Sequence, residues 1–403
     1  MRSQRLISLT RRRFLPRGVS ILIGAAHILM GLCRVASATE PATASRLKDA
    51  WPNFRNGLSL QGIAHTTLSP KPQLMWERET ADGCKSTPAI VEGRVYVGQL
   101  SGDLQSLNLS DGQPQWTYRS LTPQNPKEFI PGFNGPVTVS GEVVICGDEE
   151  GKLHCVDRQT GQARWVFDAG GLIVGGAAVI GERVICGSHS QFLYGIHLKT
   201  GEKLWEFDCQ GPVNGTQAFD GDYTFVSGCS EPVLYVVDTR TGEEHARIPL
   251  DDLLIATPAM IDGVLYFGTS EGLVLAVDWK TQATLARFET RQPREVHSAP
   301  AVTQDLVIIG GRDKSVYGLN RKTLEKQWVF NTRAGNDGSP VVVGDRVFIG
   351  SGDKFLYGLS LMDGTEVWKY GAAVSFADSS PAVAEGRMVV CTEGPSGKIL
   401  CFK

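Results

Sequence analysis

The sequence lacks both a long apolar run and an excess of basic charge. The apolar stretch at residues 19–33 has only 15 residues, whereas a membrane-spanning helix needs about 20. The 40 Lys and Arg residues are balanced by 43 Asp and Glu residues, so the chain offers no basic footprint for nucleic acid. We therefore predict no transmembrane span in the mature chain and no nucleic-acid partner.

Recognisable metal-site spacings are also absent from the sequence. None of the nine cysteines is adjacent to another, and neither Cys-x-x-Cys nor His-Glu-x-x-His occurs. Such spacings would indicate zinc, so no metal site is predicted. We expect the thiols to be buried as small apolar side chains, although an oxidising compartment could link some pair of them.

The first 38 residues have the features of a signal peptide. Seven arginines and no acidic residue accompany the apolar stretch, and Ala36-Ser37-Ala38 follows it, as is typical of export signals. Arg11-Arg12-Arg13-Phe14-Leu15 resembles the twin-arginine export motif, and an ordinary Sec signal is the alternative. We predict a signal peptide at residues 1–38 and a periplasmic or otherwise exported chain, with membrane association left open.

One sequence motif recurs through the rest of the chain. It consists of a Pro-Ala-like start, Gly, an apolar strand, a turn, a second strand, a Thr-Gly turn and Trp. Its first-turn position recurs eight times at intervals of 39–48 residues, at Gly93, Gly141, Gly181, Gly221, Gly263, Asp305, Gly344 and Gly386. A complete unit holds four strand-length segments, which matches the size of a propeller blade. The sequence predicts an N-terminal extension at residues 39–72 and, at residues 73–403, a single all-β, eight-bladed β-propeller with four-stranded antiparallel blades.

The eighth unit is one strand short. It ends at Phe402, while an extra strand-like segment at residues 73–79 precedes the first unit and carries Trp76 at the position of a fourth-strand tryptophan. We predict that this N-terminal strand completes the last blade, which closes the ring and removes open strand edges.

Six tryptophans share one position in the units, and we predict that they are structural and pack between neighbouring blades. They are Trp76, Trp116, Trp165, Trp205, Trp328 and Trp368. Ala246 and Ala286 occupy this position in the fourth and fifth units. The side chains that cover these alanines are not evident from the sequence.

The units resemble pyrroloquinoline-quinone-like (PQQ-like) repeats, whose Thr-Gly-x-x-x-Trp pattern occurs at residues 160–165 and 200–205. The opening Trp51-Pro52-Asn53-Phe54-Arg55 resembles the start of exported propellers similar to the outer-membrane assembly factor BamB. The resemblance implies a non-catalytic, monomeric scaffold of the cell envelope that binds protein partners and has no cofactor.

The alternative implied by the same repeats is a quinoprotein-like dehydrogenase or another enzyme that binds a small ligand at the channel mouth. Quinoprotein alcohol dehydrogenases hold PQQ and calcium beside an adjacent cysteine pair, which this chain lacks. PQQ with calcium is therefore expected only under this alternative.

Propellers bind ligands at one mouth of the central channel, where the innermost strands begin. Counting three residues back from the proline at each strand start, or from its equivalent, predicts a mouth with a polar and an apolar half, formed by Lys85, Phe133, Ile173, Val213, Ile255, His297, Asp337 and Asp378. The candidate ligand-binding residues are Lys85, Asn134, Asn214, His297, Asp337 and Asp378. No residue is assigned a catalytic role, and the alternative is that these groups only pair and solvate a wet channel entrance.

Overall fold

The computed structural model describes residues 49–122, 124–125, 128–376 and 378–403. The chain divides into two compact units, residues 1–42 and 43–403, and the described residues belong to the second. The predicted signal peptide and residues 39–48 of the predicted extension lie outside the described residues. Within the described ranges all regular structure is β, and no helix there could serve as a membrane span.

The strands form eight sheets, one for each sequence unit, which confirms the predicted propeller of eight blades. In chain order the N-terminal strands are β1 (Ile63–Ala64) and β2 (Leu74–Glu79). The strands of blades 1 to 4 are β3 (Ala89–Val91), β4 (Arg94–Gly98), β5 (Asp103–Asn108), β6 (Pro114–Arg119); β7 (Thr138–Ser140), β8 (Val143–Gly147), β9 (Lys152–Asp157), β10 (Ala163–Asp168); β11 (Ala178–Ile180), β12 (Arg183–Gly187), β13 (Phe192–His197), β14 (Lys203–Asp208); β15 (Ala218–Asp220), β16 (Tyr223–Val226), β17 (Val233–Asp238) and β18 (Glu244–Pro249). Those of blades 5 to 8 are β19 (Ala259–Ile261), β20 (Val264–Gly268), β21 (Leu273–Asp278), β22 (Ala283–Glu289); β23 (Ala301–Val302), β24 (Leu306–Gly311), β25 (Ser315–Asn320), β26 (Lys326–Asn331); β27 (Val341–Val343), β28 (Arg346–Gly350), β29 (Phe355–Ser360), β30 (Glu366–Gly371); β31 (Ala382–Ala384), β32 (Arg387–Cys391) and β33 (Lys398–Phe402).

The two ends of the chain meet in blade 8. Strand β2 pairs antiparallel with β33, so that Trp76 lies opposite Cys401. Blade 8 thus consists of three C-terminal strands and one N-terminal strand, and the predicted closure is confirmed. Blade 7 is extended by β1, which pairs in parallel with the inner strand β27.

The core lies between consecutive blades. The second strand of a blade is covered on both faces, which explains why β8 is apolar and buried along its whole length, whereas the outer strand β6 alternates between exposed and half-buried residues. Between blades 1 and 2, for example, Val91 and Tyr96 share one buried cluster with Val139 and Val144. The stacking of neighbours therefore supplies the hydrophobic interior of each blade.

The six repeat tryptophans lie at the blade boundaries. In each of them the indole Nε1 donates a hydrogen bond of 2.8–3.1 Å to a backbone carbonyl that precedes the next outer strand. Burying the ring while satisfying its N–H lets one side chain both pack and fix the spacing between blades.

A different tryptophan covers the alanine of blade 4. Trp279, from the turn before β22, packs against Tyr223 and Phe225 with ring centroids 5.4 Å apart. Its Nε1 donates to the carboxylate of Asp220 at 3.0 Å. Ala246 packs against the same cluster, so blade 5 supplies the aromatic ring that blade 4 lacks.

Residues 51–64, the channel plug, occupy the central channel. Their backbone carbonyls accept hydrogen bonds of 2.7–3.0 Å from the inner strands of six blades. The donors are the N–H groups of Ile90, Val139, Phe219, Met260, Val302 and Val342. The extension is thus part of the propeller, bonded to strands that are far apart in sequence.

Arg55 anchors the channel plug. Its side chain is fully buried, and its guanidinium donates to the carbonyl oxygens of Pro300, at 2.8 Å, and Pro340. Burial lowers the pKa of Arg55 to about 9, so the group remains charged at neutral pH. Gly62 leaves room for it, because a Cβ there would lie 1.9 Å from Nη2 of Arg55.

Candidate functional site

Above the channel plug the channel opens into a cavity of about 430 Å³. Each blade contributes the residue four positions before its inner strand: Lys85, Asn134, Val174, Asn214, Ile255, His297, Asp337 and Asp378. Phe54 of the channel plug also lines the cavity and forms part of its floor. The structure therefore brings all six candidate ligand-binding residues to one cavity; ligand binding itself stays a prediction.

Three of the four residues predicted to form the apolar half of the mouth do not line it. Phe133, Ile173 and Val213 are buried within the blade cores. The error comes from counting back from prolines, because Pro88 directly precedes β3 whereas Pro136 lies two residues before β7. Counting from the strands gives Asn134, Val174 and Asn214. The mouth is therefore polar at six of its eight positions.

An ion pair joins the neighbouring blades 1 and 8 at the mouth. Lys85 Nζ lies 2.9 Å from Asp378 Oδ2, and this hydrogen bond raises the pKa of Lys85. The backbone N–H of Asp378 donates to Glu393 Oε1 at 2.7 Å, and burial raises the pKa of Glu393. Because the ion pair is partly exposed, it orients these groups more than it stabilises the fold.

Arg312 organises the mouth in blades 6 and 7. Its Nε donates to both carboxylate oxygens of Asp337 at 3.0 Å, and its Nη1 contacts Glu295. The same glutamate carboxylate lies 3.1 Å from Nε2 of His297. The His297 hydrogen bond and the charge of Arg312 lower the pKa of Glu295, which keeps this carboxylate ionised.

Hydrogen bonds to nearby turn residues also hold the two asparagines of the mouth. Asn134 Nδ2 donates to Glu149 Oε1 at 3.0 Å. Asn214 Oδ1 lies 2.6 Å from His189 Nε2, and its Nδ2 donates to Cys229 Sγ at 3.1 Å. Both asparagine side chains are therefore held by residues of turns.

These turn partners form a second ring of residues that the sequence reasoning missed. Glu149, His189, Cys229, Arg312 and Glu393 all lie in the turn that follows the second strand of a blade. That turn faces the mouth in every blade, because strand direction alternates within an antiparallel sheet. All five lie at the same number of residues from the start of the second strand of their blade. This constant spacing is the sequence signal that could have identified them.

The mouth residues do not fit a calcium-bound quinone. Asp337 is bound by Arg312 and Asp378 by Lys85, whereas Ca²⁺ needs six to eight oxygen ligands of its own. Among the residues that the structure describes, no group of three His, Cys, Asp or Glu is arranged to hold a metal ion. The geometry instead suits a polar binding surface whose charged groups are already oriented.

Eight blades with PQQ-like repeats, closed by an N-terminal strand around a plugged channel, define a propeller of the PQQ-like class. The family model described as outer membrane protein assembly factor BamB matches residues 71–167, 121–212, 189–286 and 279–403. The chain belongs to this family.

Curated relatives match over part of their length. The outer membrane protein assembly factor BamB of Yersinia pestis is 31% identical over 93 residues, which are 23% of this chain and 23% of that protein. The 1-butanol dehydrogenase (cytochrome c) of Thauera butanivorans is 29% identical over 170 residues, 40% of this chain and 24% of the enzyme. The chain thus spans about a quarter of the length of these relatives.

A solved structure of BamB from Moraxella catarrhalis resembles the whole propeller. Its TM-score is 0.67 at 21% sequence identity, and the match covers 82% of this chain and 97% of that one. At this identity the likeness shows the shared fold.

Proposed function

We propose that this chain is an exported, monomeric, non-catalytic scaffold that binds protein partners during the assembly of outer-membrane proteins. The observation that carries the proposal is the match of the BamB family model across residues 71–403. The plugged channel and the interlocked blade boundaries support it, because a pre-formed surface binds a partner without a cost for ordering.

The mouth face is the proposed partner surface. The charged groups that line the mouth or hold its residues include Glu149, Glu295, Asp337, Asp378 and Glu393 against Lys85 and Arg312. This balance is acidic, and Phe54, Val174 and Ile255 add apolar surface inside the cavity. A partner segment that carries a basic residue next to an apolar one would complement both features.

Site-directed photo-crosslinking tests this placement. A photoreactive residue in place of His297, at the mouth, is expected to capture a component of the outer-membrane assembly machinery in the periplasmic fraction. The control is the same residue in place of Met362, which is 87% exposed in the turn between β29 and β30, on the opposite face. Equal capture from both positions, or capture from Met362 alone, would contradict the placement at the mouth.

The second candidate, a quinoprotein-like dehydrogenase, rests on the Thauera butanivorans match. A titration of the purified chain with PQQ and calcium, followed by visible absorbance, separates the two functions. The scaffold proposal expects no saturable spectral change and no alcohol-dependent dye reduction. A saturable change that is lost when Asp337 is replaced by Asn would favour the enzyme.

A further inference from the structure

Two buried cysteines touch at the point where the ring closes. Cys84, which precedes the inner strand of blade 1, and Cys391, at the end of β32 in blade 8, have their Sγ atoms 2.8 Å apart. Even two carbon atoms prefer a separation of about 3.5–4.0 Å, and sulfur is no smaller than carbon. Among the eight cysteines in the described part of the chain, these two form the pair whose sulfur atoms are in contact.

The backbone holds this pair in register. The N–H of Cys84 donates to the carbonyl of Thr392 at 3.2 Å, and Gly83 forms an antiparallel bridge with Glu393. The N–H of Cys391 is bound in turn by the hydroxyl oxygen of Ser379 at 3.1 Å. Both side chains are fully buried, so few rotamers are open to either thiol.

We propose that Cys84 and Cys391 form a disulfide that covalently locks blade 1 to blade 8. The two residues are 307 positions apart, so the bond would close nearly the whole propeller into one loop. A crosslink restricts the unfolded chain more strongly as the closed loop lengthens. A disulfide at this position would therefore stabilise the folded state more than one that closes a short loop. The proposal concerns the folded ring itself and does not depend on which partner the mouth binds.

The chemistry needs an oxidant with a disulfide of its own. One thiolate attacks that disulfide and releases one thiol; the second cysteine then attacks the mixed disulfide and releases the other. Two electrons and two protons pass from the cysteines to the oxidant, which leaves as two thiols. Burial raises the pKa of Cys84 well above its usual value, so exchange takes place before blades 1 and 8 close or while their joint opens.

Peptide mapping tests the crosslink directly. The full chain is reduced, refolded with reduced and oxidised glutathione, alkylated in denaturant and digested without reductant. The expected product is a peptide containing Cys84 linked to one containing Cys391. Separate alkylation of both cysteines, or linkage of either to another cysteine such as Cys146, would overturn the proposal.

Thermal unfolding supplies a second readout. Adding reductant to the oxidised protein is expected to lower its melting temperature by about 5 °C. The Cys391→Ala variant should show no such response, whatever its own stability, while the matched variant Cys401→Ala, altered at a buried cysteine of the same blade, should respond like the wild type. An equal response in all three proteins would also overturn the proposal.

Discussion

Five turn glycines lie against the tryptophan of the preceding blade. A Cβ at any of them would come within 2.5–2.7 Å of a ring atom, and all five have positive φ. The pairs are Gly112 with Trp76, Gly161 with Trp116, Gly201 with Trp165, Gly242 with Trp205, and Gly364 with Trp328. Where Ala246 and Ala286 replace the tryptophan, the turns carry Gln282 and Leu324, also with positive φ. The ring contact, more than the backbone angle, therefore selects glycine.

The substitution Gly201→Ala separates these two effects. It should lower the free energy of unfolding by about 1–2 kcal/mol for the left-handed backbone and by about 1–3 kcal/mol more for overpacking against Trp165. Gly181→Ala is the matched control, because Gly181 has φ +60° with no atom near its Cβ position. Urea unfolding measures both, and equal losses would show that the ring contact has no energetic weight.

The proline count gave the correct mouth residue in five blades and was off by one residue in the other three. In blades 6 and 7 the proline directly precedes the inner strand, as in blade 1, so the same count was enough to select His297 and Asp337. The count failed at Phe133, because its nearby proline lies one residue further from the strand than Pro88 does. A one-residue shift moves a side chain from channel to core, so the strand itself has to be the reference.

At the scale of elements, the blades were predictable and the channel plug was not. Blades repeat, with a first-turn glycine in seven of the eight units and an outer-strand tryptophan in six. The plug occurs once and has little strand pattern of its own. It is held by its backbone carbonyls, which bind inner-strand amides such as those of Met260, Val302 and Val342. Such bonds involve backbone atoms common to every residue, so the side-chain sequence carries almost no signal for them.

Arg55 gives the test of the channel plug. Arg55→Met should cost about 2–4 kcal/mol, because it leaves the buried carbonyls of Pro300 and Pro340 without their donor. Amide hydrogen exchange should quicken at Met260 and Val302, which donate to the plug. Arg119→Met, which removes an exposed ion pair with Asp103, is the control and should cost less than about 1 kcal/mol. Unchanged exchange at these amides in Arg55→Met would mean that Arg55 does not hold the plug.

At the scale of the whole molecule, the chain is closed by its own ends in two ways. Strand β2 completes blade 8, and the channel plug bonds to six blades from within. Repeat proteins draw stability from contacts between neighbouring units, so a ring has no weak terminal unit once it is closed. The missing outer strand of the eighth unit made the closure by β2 predictable, whereas the channel plug became visible only in the structure.

Two deletions distinguish what the channel plug and strand β2 contribute to stability. Relative to a chain that starts at residue 39, removal of residues 39–72 takes away the plug but keeps β2, and should lower the melting temperature while leaving one cooperative transition. Removal of residues 39–80 also takes away β2, which exposes the edge of β33 and uncovers the Trp76 site between blades 8 and 1. This shorter chain should unfold over a broad range without a single transition, as followed by calorimetry and far-ultraviolet circular dichroism. A sharp, unshifted transition after the longer deletion would show that the ring is held closed without its N-terminal strand.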